Sequence, residues 1–381
     1  MKCNEMIIEN EDELETSYSS GEVYPMHTIK VSKGFYSVYE LKRKFDRKDK
    51  SIVLDSSFQR DEVWKPMQKS ELIESVLMGL PLPIFYFNED KKGRLIVVDG
   101  RQRLTALFEF MNGKHRLGEL KIMSNFSKKK FDDLAEIDKQ RVEDYQLYAH
   151  LIQPPTPDRI KFDIFDRVNR GGTQLNKQEM RNALYQGRST SMLNRLKDFQ
   201  EFNEATENSF TKDMRMKSRY IILRFLAFYL YFNKALTIVV NGTKKTYEYK
   251  GDIDEMLGLT MEHLNSSSDE DITMYEEITR NALKNIIFYM PENAFRLVEM
   301  TNGNYRRYPI NINIFETIMY AMTMLPQERE TLKEYVCKSL TDMKDSDEFR
   351  ESIYNHRDSN LKVEVRHNLV MDIIKGVNLS D

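Results

Sequence analysis

The chain has 381 residues, with 57 Lys and Arg against 60 Asp and Glu, so its formal net charge is -3. This balance excludes the overall basic field that many dedicated nucleic-acid-binding proteins carry, and any contact with DNA would have to be local. No apolar run has the length of a membrane span, and the acidic N-terminus lacks the regions of a signal peptide. We therefore expect a cytoplasmic protein that does not contact a membrane.

The cysteines and histidines of the sequence form no disulfide or metal-binding motif. Cys3 and Cys337 lie near opposite ends of the chain, which argues against a disulfide framework or a zinc site, and the six histidines are scattered. The chain also lacks a Walker A loop, a dinucleotide fingerprint and a Gly-x-Ser-x-Gly elbow. Any catalysis must therefore use carboxylates and arginines, with or without a bound metal.

The first elements of the chain are predicted to form one α/β unit. Residues 1–28 are acidic and Ser-rich and predict a poorly ordered leader. Alternating and helical hydrophobic periods then predict a series of short elements. These are a helix over 36–45, a strand over 52–54, a helix over 67–80, a strand over 84–87, a charged hairpin loop over 88–93, a strand over 95–98 and a helix over 104–111.

A polar pentapeptide, Asp99-Gly100-Arg101-Gln102-Arg103, joins the last strand to the last helix. Glycine permits the positive φ that a tight turn needs, and the N–H groups of the first helical turn have no acceptor inside the helix. Such a turn is an anion site, and two guanidinium forks make phosphate the best-fitting ligand. Asp99 could cap the helix or hold a metal ion beside the phosphate.

A plainer interpretation of the pentapeptide stays open. Asp99 could be only a helix cap and Gly100 only a turn residue, with both arginines solvated or paired with nearby carboxylates. Short motifs of this kind have many false positives, so the segments around it must decide.

Downstream of the pentapeptide, the sequence contains a second polar turn, and the predicted elements then become mainly helical. Helices are predicted over 131–145 and 158–168, with a strand over 146–152 between them. Asn169-Arg170-Gly171 begins a Gly-rich break, which could be a binding turn or a surface turn, and Asn176 with Glu179 predicts a capping box that opens a helix to about residue 185. From residue 189 the sequence predicts mainly helices, with a hairpin over 236–249 around Asn241-Gly242 and further helices over 312–325 and 328–343.

The predicted fold class is α+β, with three parts: a leader over 1–28, an α/β domain over 29–188 and a mainly helical domain over 189–381. Several motifs of the middle part occur in order and at the right intervals for one family. They are Phe58-Gln59-Arg60, Trp64-Lys65, the helix with Glu74, Gly79-Leu80-Pro81-Leu82-Pro83, the pentapeptide, and Asn169-Arg170-Gly171. Together they resemble the N-terminal domain of GmrSD-type modification-dependent restriction enzymes, domain-of-unknown-function family 262, in the ParB/sulfiredoxin-like superfamily.

The resemblance implies a ParB-like α/β domain whose Asp-Gly-x-Gln-Arg loop binds, and in some members hydrolyses, a nucleoside triphosphate during defence against foreign DNA. Asp99, Gly100, Gln102 and Arg103 would form the nucleotide loop. Gln59 and Arg60 would approach it from the preceding segment. Arg101 stands where the family often has Gln, and His356 and His367 lack the companions of the His-Asn-His nuclease that restriction members often add.

Our first hypothesis is an NTP-binding enzyme or switch with Mg²⁺ as cofactor, and the sequence leaves open whether the protein hydrolyses its ligand. Arg60 and Arg103 would neutralise phosphate charge, Asp99 would hold the metal, and Asp99 or Glu74 would position Mg²⁺ or water. The predicted site residues are, for catalysis, Asp99, Arg103 and Glu74; for nucleotide binding, Gln59, Arg60, Gly100, Arg101, Gln102, Arg103, Asn169 and Arg170; and for metal binding, Asp99.

Two alternatives remain open. The protein could be a DNA-binding or assembly module without turnover that relies on a separate nuclease subunit, with its arginines on a DNA phosphate and the basic runs 128–130 and 306–307 assisting. It could also be a metal-dependent nuclease built from Asp99, Glu74 and Asp61. The sequence leaves homo-oligomerisation open.

Overall fold

The computed structural model of the protein describes residues 29–48, 51–54, 64–90, 92–168, 176–240, 243–301, 304–354 and 356–379. These residues fall into two compact units, with Leu184 at the end of one and Tyr185 at the start of the other. The first unit is mixed α/β and the second is mainly helical, which confirms the predicted α+β class. The predicted leader lies outside the described residues. Among the helices described, none is both long and apolar enough to cross a membrane.

The first unit is built on one five-stranded mixed sheet. Its strands are β1 (Lys30–Ser37), β2 (Ile52–Val53), β3 (Phe85–Glu89), β4 (Leu95–Asp99) and β5 (Gln146–Gln153), in the spatial order β1-β5-β3-β4-β2. β1 and β5 are antiparallel, as are β3 and β4, whereas β3 and β5, like β2 and β4, are parallel. Its helices are α1 (Val38–Asp46), α2 (Pro66–Leu77), α3 (Arg101–Met111), α4 (Glu136–Glu143), α5 (Asp158–Val168) and α6 (Lys177–Leu184).

The hydrophobic core of this unit lies on one face of the sheet. Strand β5 alternates, with Leu147, Ala149 and Leu151 buried, and Phe85 and Phe87 of β3 lie beside them in the ladder. Helix α3 buries Leu104 and Leu107 in the same cluster, as their helical spacing predicts. The core therefore holds β4 and α3 on either side of the turn at Gly100.

The sequence prediction misses β1. The predicted helix over 36–45 begins two residues later, at Val38, because Ser37 caps it by accepting a hydrogen bond from the Glu40 backbone N–H at 3.1 Å. Residues 30–37 instead pair along their whole length with β5, more than a hundred residues away. Local periodicity cannot anticipate such a partner. The predicted helix over 131–145 is likewise shorter, with one 3₁₀ turn (Phe131–Asp133) followed by α4.

The second unit contains nine described helices and two hairpins. The helices are α7 (Arg188–Lys197), α8 (Gln200–Ala205), α9 (Lys217–Phe232), α10 (Ile253–Ser266), α11 (Asp269–Tyr289), α12 (Ile312–Met322), α13 (Glu330–Asp345), α14 (Asp347–Ile353) and α15 (Asn360–Leu379). One antiparallel hairpin joins β6 (Thr237–Val240) to β7 (Thr243–Thr246), as predicted, and the other joins β8 (Val298–Thr301) to β9 (Asn304–Arg307), which the sequence prediction does not include.

A buried ion network crosses the core of the second unit. Arg224 of α9 donates to Glu316 of α12 at 2.5 Å and to Asp358 at 2.7 Å, and Arg366 of α15 donates to the other oxygen of Glu316 at 3.1 Å. Arg224, Glu316 and Arg366 are all buried. Each charge has an opposite partner within hydrogen-bond distance, which is the condition for tolerating ions in an interior.

Candidate functional site

The turn between β4 and α3 is set by Gly100. This residue is the N-cap of α3 and has φ 94° and ψ 8°, in the left-handed region, so the predicted positive φ is confirmed. A Cβ at this position would lie 2.1 Å from Cδ1 of Phe85, well inside van der Waals contact. Only glycine satisfies both the backbone conformation and this close approach. The chain therefore reverses at Gly100, and the N-terminal turn of α3 begins directly after the last residue of β4.

Arg103 is directed towards the protein rather than outwards. Its Nη2 donates to Oδ2 of Asp99 at 2.6 Å and to the Ile84 carbonyl at 3.4 Å, and its Nη1 donates to the Pro83 carbonyl. The guanidinium also lies over the Phe85 ring, 4.2 Å from the centroid. Burial lowers the pKa of Arg103, and the neighbouring Asp99 opposes that shift.

These contacts differ from the predicted role of Arg103. The sequence assigns its guanidinium to phosphate, but the residue is only 9% exposed and its two terminal nitrogens donate to Asp99 and two backbone carbonyls. Arg103 is a positioning residue that fastens the first turn of α3 to β4 and to the segment before β3.

Asp99 is the exposed member of this pair. Its side chain is 34% exposed, against 11% for Arg103, and one of its two oxygens accepts from the arginine. It does not cap α3, because Gly100 occupies that position without any side-chain cap. Within the described ranges, no group of three or more His, Cys, Asp or Glu side chains could hold a metal ion. Asp99 itself offers a carboxylate oxygen, a ligand type that suits Mg²⁺.

Glu74, which the sequence assigns to catalysis, makes a structural contact. It is buried on α2, and its Oε1 accepts hydrogen bonds from the backbone N–H groups of Ile122 at 3.0 Å and Met123 at 2.7 Å. The carboxylate thereby anchors a loop 48 and 49 residues further along the chain. This contact is structural, and the catalytic role of Glu74 stays a prediction.

The remaining predicted residues divide into two groups. Arg101 and Gln102 lie half-buried in the first turn of α3, next to Gly100. The other four, Gln59, Arg60, Asn169 and Arg170, lie outside the residues that the structure describes, as does Asp61.

The capping box after the second polar turn is confirmed, since Asn176 N donates to Glu179 at 2.7 Å and Glu179 N donates to Asn176 at 2.8 Å.

Residues of the two basic runs contact neighbouring side chains of the protein. Lys128 pairs with Glu119 at 3.0 Å, and Lys129 lies over the Phe126 ring. Arg307 pairs with Glu207 and donates to Asn293 at 2.6 Å. Such contacts are typical of solvated surfaces, and neither run by itself indicates a nucleic-acid interface.

Sequence reasoning also missed the surroundings of the turn. Tyr86 of β3 is the register partner of Asp99, and the Pro83 and Ile84 carbonyls hold Arg103. The only available signal was the predicted hairpin, which brings residues 84–87 alongside 95–98.

Comparison with known proteins gives one family. Residues 41–186 match the model described as GmrSD restriction endonuclease, N-terminal domain. No curated protein and no solved structure matches the chain. The matched range includes the β4–α3 turn and nearly all of the first unit.

Proposed function

We propose that this protein binds a nucleoside triphosphate as a component of a restriction or phage-defence system. The match of residues 41–186 to the GmrSD restriction endonuclease N-terminal domain supports this proposal. The ligand's phosphates would lie at the turn between β4 and α3. Binding, followed by hydrolysis, would control attack on DNA by a nuclease that a separate subunit supplies.

The observation that carries the proposal is the geometry at Gly100. A left-handed glycine ends β4 and starts an eleven-residue helix, α3. The first N–H groups of such a helix lack intrahelical acceptors, and the helix dipole places partial positive charge at the same end. Phosphate oxygens fit these donors. The Phe85 ring occupies the space that a Cβ of residue 100 would need, so the turn keeps this shape only with glycine.

Each residue of the turn has a distinct role in this proposal. The backbone of residues 101–103 binds the phosphate oxygens, and Arg101 and Gln102 add side-chain contacts. Arg103 holds the turn in shape from behind through Asp99. Mg²⁺ arrives with the triphosphate, and the partly exposed Asp99 carboxylate is its protein ligand.

Titration calorimetry tests the proposal. Purified protein is titrated with ATP, GTP, CTP and UTP in the presence of Mg²⁺, and phosphate release is measured in parallel. We expect one or more of the four nucleotides to bind. A charge-assisted contact contributes about 1.5–3 kcal/mol, so Arg101→Ala should weaken binding by roughly tenfold or more.

The matched control is Arg94→Ala. Arg94 precedes β4 and pairs with Asp90 at 2.7 Å, at the opposite end of the strand, about 16 Å from the turn. This variant removes the same charge and should leave nucleotide affinity unchanged. Failure of all four nucleotides to bind, or equal affinity of both variants and the parent protein, contradicts the proposal. A salt-dependent shift of DNA in a gel without phosphate release would favour the DNA-binding module instead.

A further inference from the structure

A row of side chains crosses three strands of the sheet and ends beside the turn. Lys33 of β1 is the register partner of His150 in β5, and His150 is the partner of Tyr86 in β3. Register partners in a regular ladder place their side chains on the same face, so Lys33, His150 and Tyr86 share one face of the sheet. Tyr86 is also the ladder partner of Asp99 in β4, at a point where the register of the two strands shifts. The row lies opposite the core face, since the core residues Ala149 and Leu151 flank His150 in the alternating pattern of β5.

Aromatic rings dominate this part of the face. Tyr86 and His150 have ring centroids 5.3 Å apart, and in the next row Phe35 and Tyr148 meet edge to face at 5.2 Å. Phe35 is 61% exposed and Tyr148 is 54% exposed, while Tyr86 and His150 are half-buried. These four rings form an aromatic surface in two neighbouring rows of this face, which extends from β1 to Tyr86, the ladder partner of Asp99.

The other end of the same face is closed. Asn88, Ile96 and Ile152 are buried there, and helices α5 and α6 pack against β4. The open part of the face is thus confined to the end of the sheet at which β4 turns into α3. The aromatic surface and the turn are neighbours because both lie at the C-terminal end of β4.

From this juxtaposition we propose that the Tyr86–His150 pair stacks the base of the nucleotide whose phosphates bind at the Gly100 turn. The inference rests on the proposed function and adds the base-binding half of the site. Neighbouring strands lie about 4.8 Å apart, so Tyr86 is roughly 5 Å and His150 roughly 10 Å from Asp99 across the sheet. A ligand with a planar base at one end and phosphates at the other spans this short distance.

Stacking on aromatic side chains accepts any base, because every base has a π-face. The pair therefore supplies affinity for the nucleoside part of the ligand with little selection among the four bases. It also distinguishes a nucleoside triphosphate from inorganic tripolyphosphate, which offers the turn a similar charge but has no ring to stack.

The experiment compares these two ligands on the full-length protein. In calorimetric titrations with Mg²⁺, we expect the best-binding nucleoside triphosphate to bind at least fivefold more tightly than tripolyphosphate. Tyr86→Leu keeps an apolar side chain in β3 but removes the ring. It should weaken nucleotide binding by roughly 5- to 100-fold while leaving tripolyphosphate binding unchanged, and Tyr86→Phe, which keeps the ring, should restore nucleotide affinity.

Tyr39→Leu is the matched control, because Tyr39 is an exposed tyrosine on α1 and lies outside the row. Equal affinity for nucleotide and tripolyphosphate, with no effect of Tyr86→Leu, overturns the base-binding inference but leaves the phosphate site standing. If neither ligand binds, the proposed function fails as well. If Tyr86→Leu and Tyr148→Leu weaken binding of an oligothymidylate but not of the nucleotide, the surface belongs to single-stranded DNA and the inference is likewise overturned.

Discussion

Arg103 and Asp99 form an ion pair across the turn between β4 and α3, with Nη2 and Oδ2 2.6 Å apart. The arginine is buried, whereas the carboxylate keeps about a third of its surface exposed. The pair therefore joins a buried guanidinium to a carboxylate that faces solvent. This arrangement makes the shape of the turn depend on Arg103 and leaves the Asp99 carboxylate at the surface of the turn.

Removing Arg103 should destabilise the first unit. Arg103→Met leaves the Pro83 and Ile84 carbonyls without their donor and Asp99 without its counter-ion. Because Asp99 is partly solvated, we expect a loss of about 2–3 kcal/mol in the free energy of unfolding, below the cost of breaking a fully buried pair. Urea unfolding followed by fluorescence measures the effect. The only tryptophan, Trp64, packs against the core of this unit and reports on it selectively.

Arg103→Lys is the companion variant, which separates the charge of Arg103 from the geometry of its hydrogen bonds. Lysine retains the charge but cannot serve Asp99 and two carbonyls with one planar fork, so it should recover only part of the lost stability. A Lys variant as stable as the parent protein, or a Met variant with no loss, would show that the contacts at Pro83 and Ile84 contribute nothing.

Gly100→Ala should lower the free energy of unfolding by more than the left-handed backbone conformation alone accounts for. Gly79 provides the comparison, since it also has a positive φ, 72°, but a Cβ there meets no atom within 4 Å. Gly79→Ala should lose about 1–2 kcal/mol from the left-handed conformation, whereas Gly100→Ala should lose a further 1–3 kcal/mol or so from overpacking against Phe85. Urea unfolding followed by Trp64 fluorescence measures both.

The contribution of the clash can be separated by adding Phe85→Leu. In the Gly100→Ala background this second change removes the ring that the new methyl group meets, so the two substitutions should cost less together than the sum of their separate effects. Strict additivity would mean that the contact with Phe85 is not what requires glycine.

His115 should make the stability of the first unit depend on pH. Ser70 Oγ donates to the Pro66 carbonyl at 2.9 Å and lies 3.0 Å from Nε2 of His115, so the imidazole donates from Nε2. Burial lowers the pKa of His115 below its ordinary value of 6.5, and Lys69 lowers it further, with Glu109 opposing. Between the lowered pKa and 6.5 the unfolded chain binds more protons than the folded chain, so stability falls as pH drops through that window.

The measurement is Trp64-monitored urea unfolding at pH 8, 6.5 and 5.5. His115→Gln keeps a polar partner for Ser70 but does not titrate, so it should reduce the loss of stability between pH 6.5 and 5.5 by up to about 1 kcal/mol. Parallel pH profiles for the variant and the parent would contradict this assignment. Comparison at pH 8, where the imidazole is neutral in both states, isolates any effect of the substitution on packing.

In the second unit, Arg224→Met should be severely destabilising. It removes the counter-ion that Glu316 and Asp358 share in the core, and breaking a buried pair from one side costs about 3–5 kcal/mol. The matched control is Arg195→Met, because Arg195 pairs with Glu276 at 2.6 Å but is about half exposed. An exposed pair contributes about 0–1 kcal/mol.

Hydrogen–deuterium exchange measures both variants within one chain. Peptides from α9 and α12 should lose protection in Arg224→Met and keep it in Arg195→Met. A similar, small change in both would show that the network adds no stability.

Local patterns were sufficient for the elements on either side of the turn. The apolar run over residues 95–98, the glycine after Asp99 and the helical spacing of Leu104 and Leu107 act within a few residues of one another, so the strand, the turn and the helix could all be predicted. The capping box at Asn176 and Glu179 is equally local, and it was predicted for the same reason.

The direction of long side chains could not be predicted in this way. Arg103 reaches carbonyls 19 and 20 residues earlier, and Glu74 reaches amides 48 and 49 residues later. An arginine in a polar motif looks the same in the sequence whether it faces a ligand or its own backbone. Only the packing of β3 beside β4 shows that the guanidinium of Arg103 is used within the fold.

The sequence by itself determined the class of the fold and the position of a glycine turn between a strand and a helix, because both follow from hydrophobic period and backbone preference over short stretches. The tertiary structure alone decided which groups surround that turn. It paired β1 with β5 and placed Tyr86 and His150 in register with Asp99, since such contacts join residues that are far apart in the chain and leave no periodic signal in it.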